Sequence, residues 1–350
     1  MMSFRGTRLQ ELRLPQGTVW MLETLAAARG KQELYEHQSP QALKTLRELA
    51  LIESVESSNR IEGVTVDHAR LRPLVIGDAP PRDRPEEEIV GYRRALDWIH
   101  TQRAAIEMSP ETCLQLHALA QAGTTGDAGV WKTRANDIIE IFPDGRSEVR
   151  FRPLAPELVQ GAMKELFLAY NHVLDQRLVT PLVALAALIL DFTCIHPFRD
   201  GNGRVSRLLF LLGLYHHDFQ VGRYISLERV VEQTKEEYYA TLKQSSASWH
   251  ESKHDPLPWL TYLLSALRIA YRELEERASR ARPQRGEKTD LVESVLENLR
   301  GTFGIGDVER LAPNVGRDMI RKVMNRWREA GKLEVLGRGR DARWKKKNGD

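Results

Sequence analysis

The chain has 350 residues, of which 42% are hydrophobic and 28% are charged, and its net charge is +3 at pH 7. This composition is ordinary for a soluble globular protein, and the length is sufficient for two or three domains. Its two cysteines, Cys113 and Cys194, lie far apart and match no metal or redox spacing, which excludes a disulfide-rich scaffold.

The apolar segments predict neither secretion nor a membrane span. Residues 1–16 are too polar for a secretory signal. The longest apolar run, residues 181–190, ends at Asp191 and is shorter than the roughly 20 residues that a membrane helix needs. We therefore expect a soluble protein in a reducing, cytoplasmic compartment.

Helical periodicity dominates the chain. It predicts helices over residues 39–63, 86–102, 109–123, 155–176, 180–195, 205–217 and 235–246, and another from residue 267 that runs into a polar linker. Ser109 is suited to cap its helix, with Pro110 at the first helical position. The helix over 180–195 is apolar on nearly all sides, so we expect it at the centre of the fold.

One stretch, residues 136–153, departs from the helical pattern. β-Branched and aromatic residues lie on either side of Pro143, Asp144 and Gly145, and these three residues favour a turn. The pattern therefore predicts a β-hairpin. Because two strands alone are marginally stable, the hairpin must pack on a helix or serve as a docking edge.

The C-terminal part has a charge of its own. From Val315 to Asp350 there are 12 Lys and Arg against 5 Asp and Glu, whereas the rest of the chain is net acidic. Three short helices and a basic hairpin are predicted over residues 290–299, 304–312, 316–331 and 332–347. This is the outline of a winged helix-turn-helix. Its third helix would present cations to DNA, namely Arg317, Arg321, Lys322 and Arg328. A protein-contact role is the alternative.

The segment HPFRDGNGRVSR, from His196 to Arg207, combines groups that suit phosphate chemistry. A glycine-rich loop that opens a helix points free backbone N–H groups at an anion. Arg204 and Arg207 share a helix face, and two guanidinium groups suit a polyphosphate. Asp200 could hold Mg²⁺ beside the phosphates, and His196 could accept a proton from a hydroxyl. The segment therefore predicts transfer of a phosphate-containing group from a nucleotide to an alcohol.

The same segment resembles the Fic family signature HPFx[D/E]GN[G/K]RxxR at every specified position. The resemblance extends from about residue 58 to about residue 250, and it implies transfer of AMP from ATP to a Ser, Thr or Tyr hydroxyl of a protein. His196 would then be the base, and Asp200 would hold Mg²⁺. The implied phosphate contacts are the backbone of Gly201, Asn202 and Gly203 and the side chains of Arg204 and Arg207.

A second motif resembles the inhibitory motif of the family, [S/T]xxxE[G/N], through Ser58, Glu62 and Gly63. In relatives of this kind the glutamate pairs with the second arginine of the signature, here Arg207, and competes with the γ-phosphate. Ser58 and Glu62 are four residues apart and share a helix face. The resemblance therefore implies autoinhibition by Glu62, from a helix over about residues 40–63.

The hairpin resembles the flap that covers the active site in this family and aligns a target protein by strand addition. On the hairpin, the implied contacts with nucleotide or target are Asn136, Asp137, Ile138 and Ile139. Residues 235–246 resemble the segment that borders the adenine in this family, with Tyr238 as the implied contact and Ser246 where relatives often have asparagine. Lys132 stands where relatives usually have arginine, and this flap is long and basic. An acidic target region is one hypothesis that follows.

Together these features predict a mostly α fold with a Fic-type helical core, a β-hairpin flap and a small winged-helix domain. The predicted divisions are an N-terminal helical region over 1–105, a catalytic core over 106–268, a helix end and linker over 269–288, and a winged helix over 289–350. We expect ATP, Mg²⁺ and a protein target as partners, DNA at residues 289–347, self-modification, and a homodimer.

Two alternatives to protein adenylylation stay open. One is a different chemistry on the same fold, either transfer of another phosphate-containing group or removal of AMP. The other is a DNA-binding regulator in which the core only senses ATP. The intact His196 argues against the second alternative, because binding alone needs no base.

Overall fold

The computed structural model describes residues 1–38, 40–123, 127–141, 144–280, 287–299, 301–312, 315–337 and 342–347. The chain divides into two compact units, Met1–Ala278 and Ser279–Asp350. The described residues form fourteen α-helices and two small antiparallel sheets, which confirms the predicted mostly α fold class. None of these helices is both long enough and apolar enough to cross a membrane.

Eleven of these helices begin in the larger unit. In chain order they are α1 (Gln16–Gln38), α2 (Pro40–Ile61), α3 (His68–Val75), α4 (Arg84–Gln102), α5 (Pro110–Ala120), α6 (Pro156–Asp175), α7 (Pro181–Ile195), α8 (Asn202–His216), α9 (Leu227–Gln233), α10 (Lys235–Ser246) and α11 (Leu257–Arg280). Every predicted helix is present, although α11 begins ten residues earlier than predicted. Helices α1, α3 and α9 were not predicted.

Helix α7 lies at the centre of the larger unit, as its apolar sequence predicts. Nearly every residue from Leu182 to Ile195 is buried, and α6 and α8 pack against it. Each fully buried leucine or isoleucine contributes about 1.5–3 kcal/mol. The buried carboxylate of α7, Asp191, accepts hydrogen bonds from Ser3 Oγ at 2.6 Å and Trp249 Nε1 at 2.6 Å, so it is not left unpaired.

The predicted start of α5 is confirmed. Ser109 Oγ accepts a hydrogen bond from the backbone N–H of Thr112 at 3.2 Å, and Pro110 is the first helical residue. Proline has no N–H to leave unsatisfied at this position, and the serine satisfies a donor of the first turn.

The predicted hairpin is also present, as strands β1 (Ile138–Ile141) and β2 (Ser147–Phe151), which pair antiparallel. Phe151 anchors it, because its ring stacks on His250 and meets Trp249 edge to face. Pro143, in the predicted turn, lies outside the described residues. The hairpin is therefore packed at its base, as its marginal stability in isolation requires.

The smaller unit combines three helices and three strands. They are α12 (Glu287–Asn298), β3 (Thr302–Phe303), α13 (Ile305–Leu311), α14 (Arg317–Glu329), β4 (Leu333–Leu336) and β5 (Arg343–Lys346), with strand order β3-β5-β4. Val308, Ile320, Trp327, Leu333 and Trp344 are in its core. Strand β3 is too short to give a periodic signal and was not predicted. Residues 338–341, in the predicted wing, lie outside the described residues, and the winged-helix interpretation stays a prediction.

Candidate active site

The loop between α7 and α8 carries the signature residues. Helix α7 ends at Ile195, and His196 takes the left-handed conformation with φ of 52°, which turns the chain sharply out of the helix. The side chain of Asn202 closes the loop: its Oδ1 accepts from Phe198 N at 2.9 Å and its Nδ2 donates to Phe198 O at 2.8 Å. Gly201 has φ of 76°, which a residue with a side chain rarely adopts. The loop geometry is therefore set within the motif itself.

Gly203 lies in the first turn of α8, where a carboxylate approaches the backbone. A methyl group at this position would overlap Glu62 Oε1. Free N–H groups and the helix dipole favour negative charge here. The carboxylate of Glu62 thus lies at the position where the sequence predicts an anion.

Arg207 is buried, and its N–H groups donate to residues at and just after the end of α2. Its Nη2 donates to Glu62 Oε1 at 2.7 Å and to Ser58 O at 3.0 Å, and its Nε donates to Ser58 Oγ at 3.0 Å. Gly63, just beyond α2, has φ of 83°, as expected of a glycine that ends a helix. The structure brings Ser58, Glu62 and Arg207 together, while their inhibitory role stays a prediction.

The protonation state of His196 suits a base. Its Nδ1 lies 3.3 Å from Thr193 O, and since a carbonyl only accepts, Nδ1 carries the hydrogen and Nε2 keeps a lone pair. Burial lowers the pKa of His196 to about 4, an effect reinforced by the charge of Lys132 and opposed by the Thr193 carbonyl and Glu62. The imidazole is therefore neutral near pH 7 and able to accept a proton.

A cavity of about 870 Å³ joins the loop, the flap and α10. Nine of the predicted site residues line it: Glu62, Ile138, Ile139, His196, Asn202, Gly203, Arg207, Tyr238 and Ser246. Its size is within the usual range for a cofactor or nucleotide pocket. A larger, more open cavity of about 1110 Å³ contains none of them. The smaller cavity is therefore the candidate active site.

The two α10 residues line the cavity in different ways. Tyr238 is held by edge-to-face contacts with the rings of Tyr239, Trp259 and Tyr262. The hydroxyl of Ser246 donates to Lys243 O, within its own helix, at 3.1 Å. Tyr238 thus presents a fixed aromatic wall, whereas the polar atom of Ser246 is already engaged.

Arg204 does not line the cavity. Its side chain is 2% exposed, and its Nη1 donates to Glu88 Oε2 on α4 at 2.6 Å. In this structure the guanidinium faces α4, which differs from the predicted phosphate contact. The role of Glu88 as a partner of Arg204 was not predicted. It follows two other glutamates near the start of α4, and such a run of acidic residues is typical of a solvent-exposed helix start.

Asn136 and Lys132 support the loop from the flap side. Asn136 Nδ2 donates to Phe198 O at 2.9 Å, and its Oδ1 accepts from Lys132 Nζ at 2.9 Å. Burial lowers the pKa of Lys132 to about 8. Asp137 is exposed, with Oδ2 3.8 Å from Arg152 Nε. Neither Asn136 nor Asp137 lines the cavity; Asn136 positions the signature loop instead.

Asp200 is the candidate metal ligand, and most of its side chain is exposed. Its Oδ1 accepts from Gly201 N at 2.6 Å, and its Oδ2 is 3.9 Å from Arg204 Nη2. The described residues contain no group of three or more His, Cys, Asp or Glu side chains that could hold a metal. Mg²⁺ typically uses one or two carboxylates together with phosphates and water, and a single accessible carboxylate fits that mode.

Comparison with known proteins agrees with this geometry. Residues 107–214 match the sequence model of the Fic/DOC family. A Fido domain-containing protein of Dictyostelium discoideum is 38% identical over 66 residues, which are 19% of this chain and 46% of that protein. The chain therefore spans less than half the length of this curated relative.

Solved structures share the fold. A Fic family protein from Desulfovibrio desulfuricans superposes with a TM-score of 0.62 at 20% identity, covering 97% of this chain and 98% of that one. A Fic domain-containing signaling protein from Bacteroides thetaiotaomicron gives 0.59 at 21% identity, covering 74% and 98%. Fic-1 from C. elegans gives 0.54 at 23% identity, covering 74% and 71%.

Proposed function

Because residues 107–214 form a domain of the Fic/DOC family, whose members transfer phosphate-containing groups onto proteins, we propose that this chain is a protein adenylyltransferase. It moves AMP from ATP onto a Ser, Thr or Tyr hydroxyl of a protein. The observation that carries the proposal is the shared cavity, in which the neutral imidazole of His196 faces a helix N-terminus and Arg207.

The reaction follows from the positions of these groups. The N–H groups of Asn202 and Gly203, together with Arg207, hold the phosphates of ATP, and Nε2 of His196 accepts the proton of the target hydroxyl. The hydroxyl oxygen bonds to the α-phosphorus, the bond from that phosphorus to the bridging oxygen breaks, and pyrophosphate leaves. Asp200 would hold Mg²⁺, which would neutralise part of the phosphate charge. Positioning and charge stabilisation provide the catalysis.

Glu62 keeps the chain inactive in this proposal. Its carboxylate occupies the anion position at Gly203 and takes the Arg207 donor that a terminal phosphate needs. ATP then binds in an unproductive pose until Glu62 moves. The support for this is that Arg207 donates to Ser58 of α2 and to Glu62, the residue that follows α2.

The flap is the proposed docking surface for the target. Ile139 and Val149 are 57% and 46% exposed on the hairpin, beside the cavity mouth. An extended segment of the target would add to a strand edge through its backbone, so that a hydroxyl side chain reaches His196.

Label transfer tests the proposal. ATP labelled at the α-phosphate and ATP labelled at the γ-phosphate are incubated with Mg²⁺ and the native chain, Glu62→Gly, and Glu62→Gly with His196→Ala. Self-modification reports activity, because no target is needed. We expect protein-bound α-label that rises with Glu62→Gly and falls by about a hundredfold or more without His196. Glu62→Gly with His172→Ala, which removes an exposed histidine of α6, is the matched control.

Each other result favours a different function. Label from the γ-phosphate alone indicates phosphorylation. Loss of AMP from a protein that was modified beforehand indicates removal of AMP. ATP binding without transfer in any variant favours a nucleotide-sensing regulator.

We propose, as a second activity, that the smaller unit binds duplex DNA through α14. This helix buries Ile320, Val323, Met324 and Trp327 on one face. Outside this face the helix exposes Arg317, Arg321, Lys322 and Arg328. Arg321 and Arg317 make only long ion pairs, of 3.8 Å with Asp318 and 3.5 Å with Glu309. A row of weakly paired cations on a helix is suited to phosphate contacts.

Fluorescence anisotropy with a short DNA duplex over a range of salt concentrations tests this second activity. Arg321→Ala and Lys322→Ala are each expected to weaken binding and to reduce the salt slope by about 1. Arg272→Ala, which removes an exposed arginine of α11, is the control. Binding that is absent at low salt would contradict the proposal and favour a protein-contact role for this unit.

A further inference from the structure

The cavity is lined by four cations, and three of them have partners within the chain. Arg207 pairs with Glu62, Lys235 Nζ donates to Ile61 O at 2.9 Å, and Lys243 Nζ pairs with Glu140 at 2.6 Å. The fourth is Arg150, on β2. Among the described residues no carboxylate pairs with it, and its buried Nε has no acceptor.

A β-bulge explains how Arg150 reaches the cavity. Ile138 pairs with Phe151 and Ile139 pairs with Val149, so Arg150 lies opposite no residue of β1. A bulge of this kind breaks the alternation of the strand and redirects a side chain, and bulges are frequent beside active sites. Here the redirected side chain joins His196 and Thr193 in the cavity wall.

A buried guanidinium donor without an acceptor is unfavourable unless a ligand supplies one. The ligand is an anion, because arginine binds phosphate and carboxylate oxygens most strongly. The charge of Arg150 also acts on His196, where it opposes protonation. Arg150 therefore lies within electrostatic range of His196, the proposed base, and lines the same cavity.

We propose that Arg150 is a further catalytic residue, which binds the α-phosphoryl group from the flap and stabilises its charge during transfer. This rests on the proposed adenylyltransferase function. In that arrangement Arg207 and the α8 N-terminus hold the outer phosphates, and Arg150 contacts the oxygens of the phosphoryl group that is attacked. These oxygens carry negative charge in the transition state, so a fixed positive group beside them lowers the barrier.

A carboxylate of the target protein is the competing ligand. Arg150 also lines a shallow groove of about 430 Å³ between β2 and residues 246–251, along which a target segment could lie. The buried Nε favours the phosphate, since a nucleotide enters the cavity completely, whereas a segment lying across the surface groove does not reach a donor withdrawn from solvent.

Calorimetric binding of AMP and adenosine separates these possibilities, because the two ligands differ only in the α-phosphate. The full chain with Glu62→Gly serves as the reference, in the presence of Mg²⁺. Arg150→Ala is expected to reduce the preference for AMP over adenosine by about tenfold or more, the usual range for a lost charge-assisted hydrogen bond. Arg150→Lys is expected to keep part of this preference. Arg152→Ala, which removes the next cation of the hairpin, is expected to leave it unchanged.

Failure of the proposed function and failure of the proposed role of Arg150 give different results. If the reference binds AMP no better than adenosine, the cavity is not a phosphate site, and both the proposed function and the role of Arg150 are overturned. If the reference prefers AMP and Arg150→Ala keeps that preference in full, only the role of Arg150 is overturned. A preference for acidic target peptides that disappears with Arg150→Ala then assigns the residue to the protein substrate. Circular dichroism confirms that each variant is folded.

Discussion

Two arginines three residues apart in the signature have different partners in the folded chain. Arg204 pairs with Glu88 of α4 at 2.6 Å, and both side chains are almost completely buried. Arg207 pairs with Glu62, the residue that follows α2, and the side chain of Glu62 remains 30% exposed. The first pair is shielded from water and suits a fixed structural contact. The second is accessible enough for a phosphate to replace the carboxylate.

The buried pair leads to a stability prediction. Glu88→Gln removes the close negative charge beside a guanidinium that is 2% exposed, so Arg204 keeps a buried charge with only the distant Asp200, at 3.9 Å, as counter-ion. We expect the free energy of unfolding of the larger unit to fall by about 3 kcal/mol. Urea denaturation measures it, with Glu87→Gln, one residue earlier on α4, as the control. Equal midpoints for the two variants would mean that Arg204 is stabilised by other contacts.

Helix α2 is attached to the larger unit along its length, well away from Glu62. Ser54 Oγ donates to Glu228 Oε2 at 2.7 Å, and Tyr92 Oη donates to Glu228 Oε1 at 3.0 Å. Near the end of the helix, Lys235 Nζ donates to Ile61 O at 2.9 Å. In the proposed autoinhibition, Glu62 would be displaced either by a movement of the last turn of α2 and the residues that follow it, or by a loosening of this buried network.

Weakening that network is expected to raise transfer. Ser54→Ala removes a donor to the buried Glu228 and costs about 1 kcal/mol in the attachment of α2. Since the active arrangement needs Glu62 displaced, we expect self-modification from α-labelled ATP to rise by about fivefold. Glu56→Gln is the control, because Glu56 pairs with Arg60 of the same helix. A rate equal to that of the control would show that only the last turn governs Glu62.

The whole molecule carries several buried histidines that fold in the neutral form. Burial lowers the pKa of His100, His196, His217 and His254 to about 4. An unfolded chain binds protons at these positions below about pH 6.5, whereas the folded chain does so only near pH 4. Their contribution to stability is present at neutral pH and is lost as the pH falls from about 6.5 towards 4.

Thermal unfolding should therefore show a clear pH dependence. We expect the melting temperature of the full chain to fall between pH 7 and about pH 5 at constant ionic strength. Burial raises the pKa of Asp191 to about 6, so this residue stabilises the folded chain as the pH falls. Its effect is opposite to that of the histidines, but it is one group and they are four. His217→Gln keeps a hydrogen-bonding partner for Tyr170 without titrating, and should reduce the dependence. A melting temperature that is constant over this range would contradict the conclusion that these histidines are neutral in the folded chain.

Much of the fold is predictable because its signals are local. The Ser109 cap, the apolar α7 and the hairpin over 136–153 depend on residues close together in sequence, and each is present. Helices α1, α3 and α9 were missed: α3 and α9 span only eight and seven residues, too short for a clear periodicity, and α1 has no strong apolar stripe.

The sequence by itself determined the loop chemistry of this protein, because the residues that shape the anion position, from His196 to Arg207, act within one short segment. Only the tertiary structure decided which partner each arginine takes. Glu88 and Arg204 are 116 residues apart, and Glu62 and Arg207 are 145 apart. The spacing of residues so far apart in sequence does not specify a contact between them. The contact forms only when the helices pack, because a buried charge without a counter-ion is unfavourable. The same holds for Arg150, since its lack of a carboxylate partner among the described residues is a property of the folded chain.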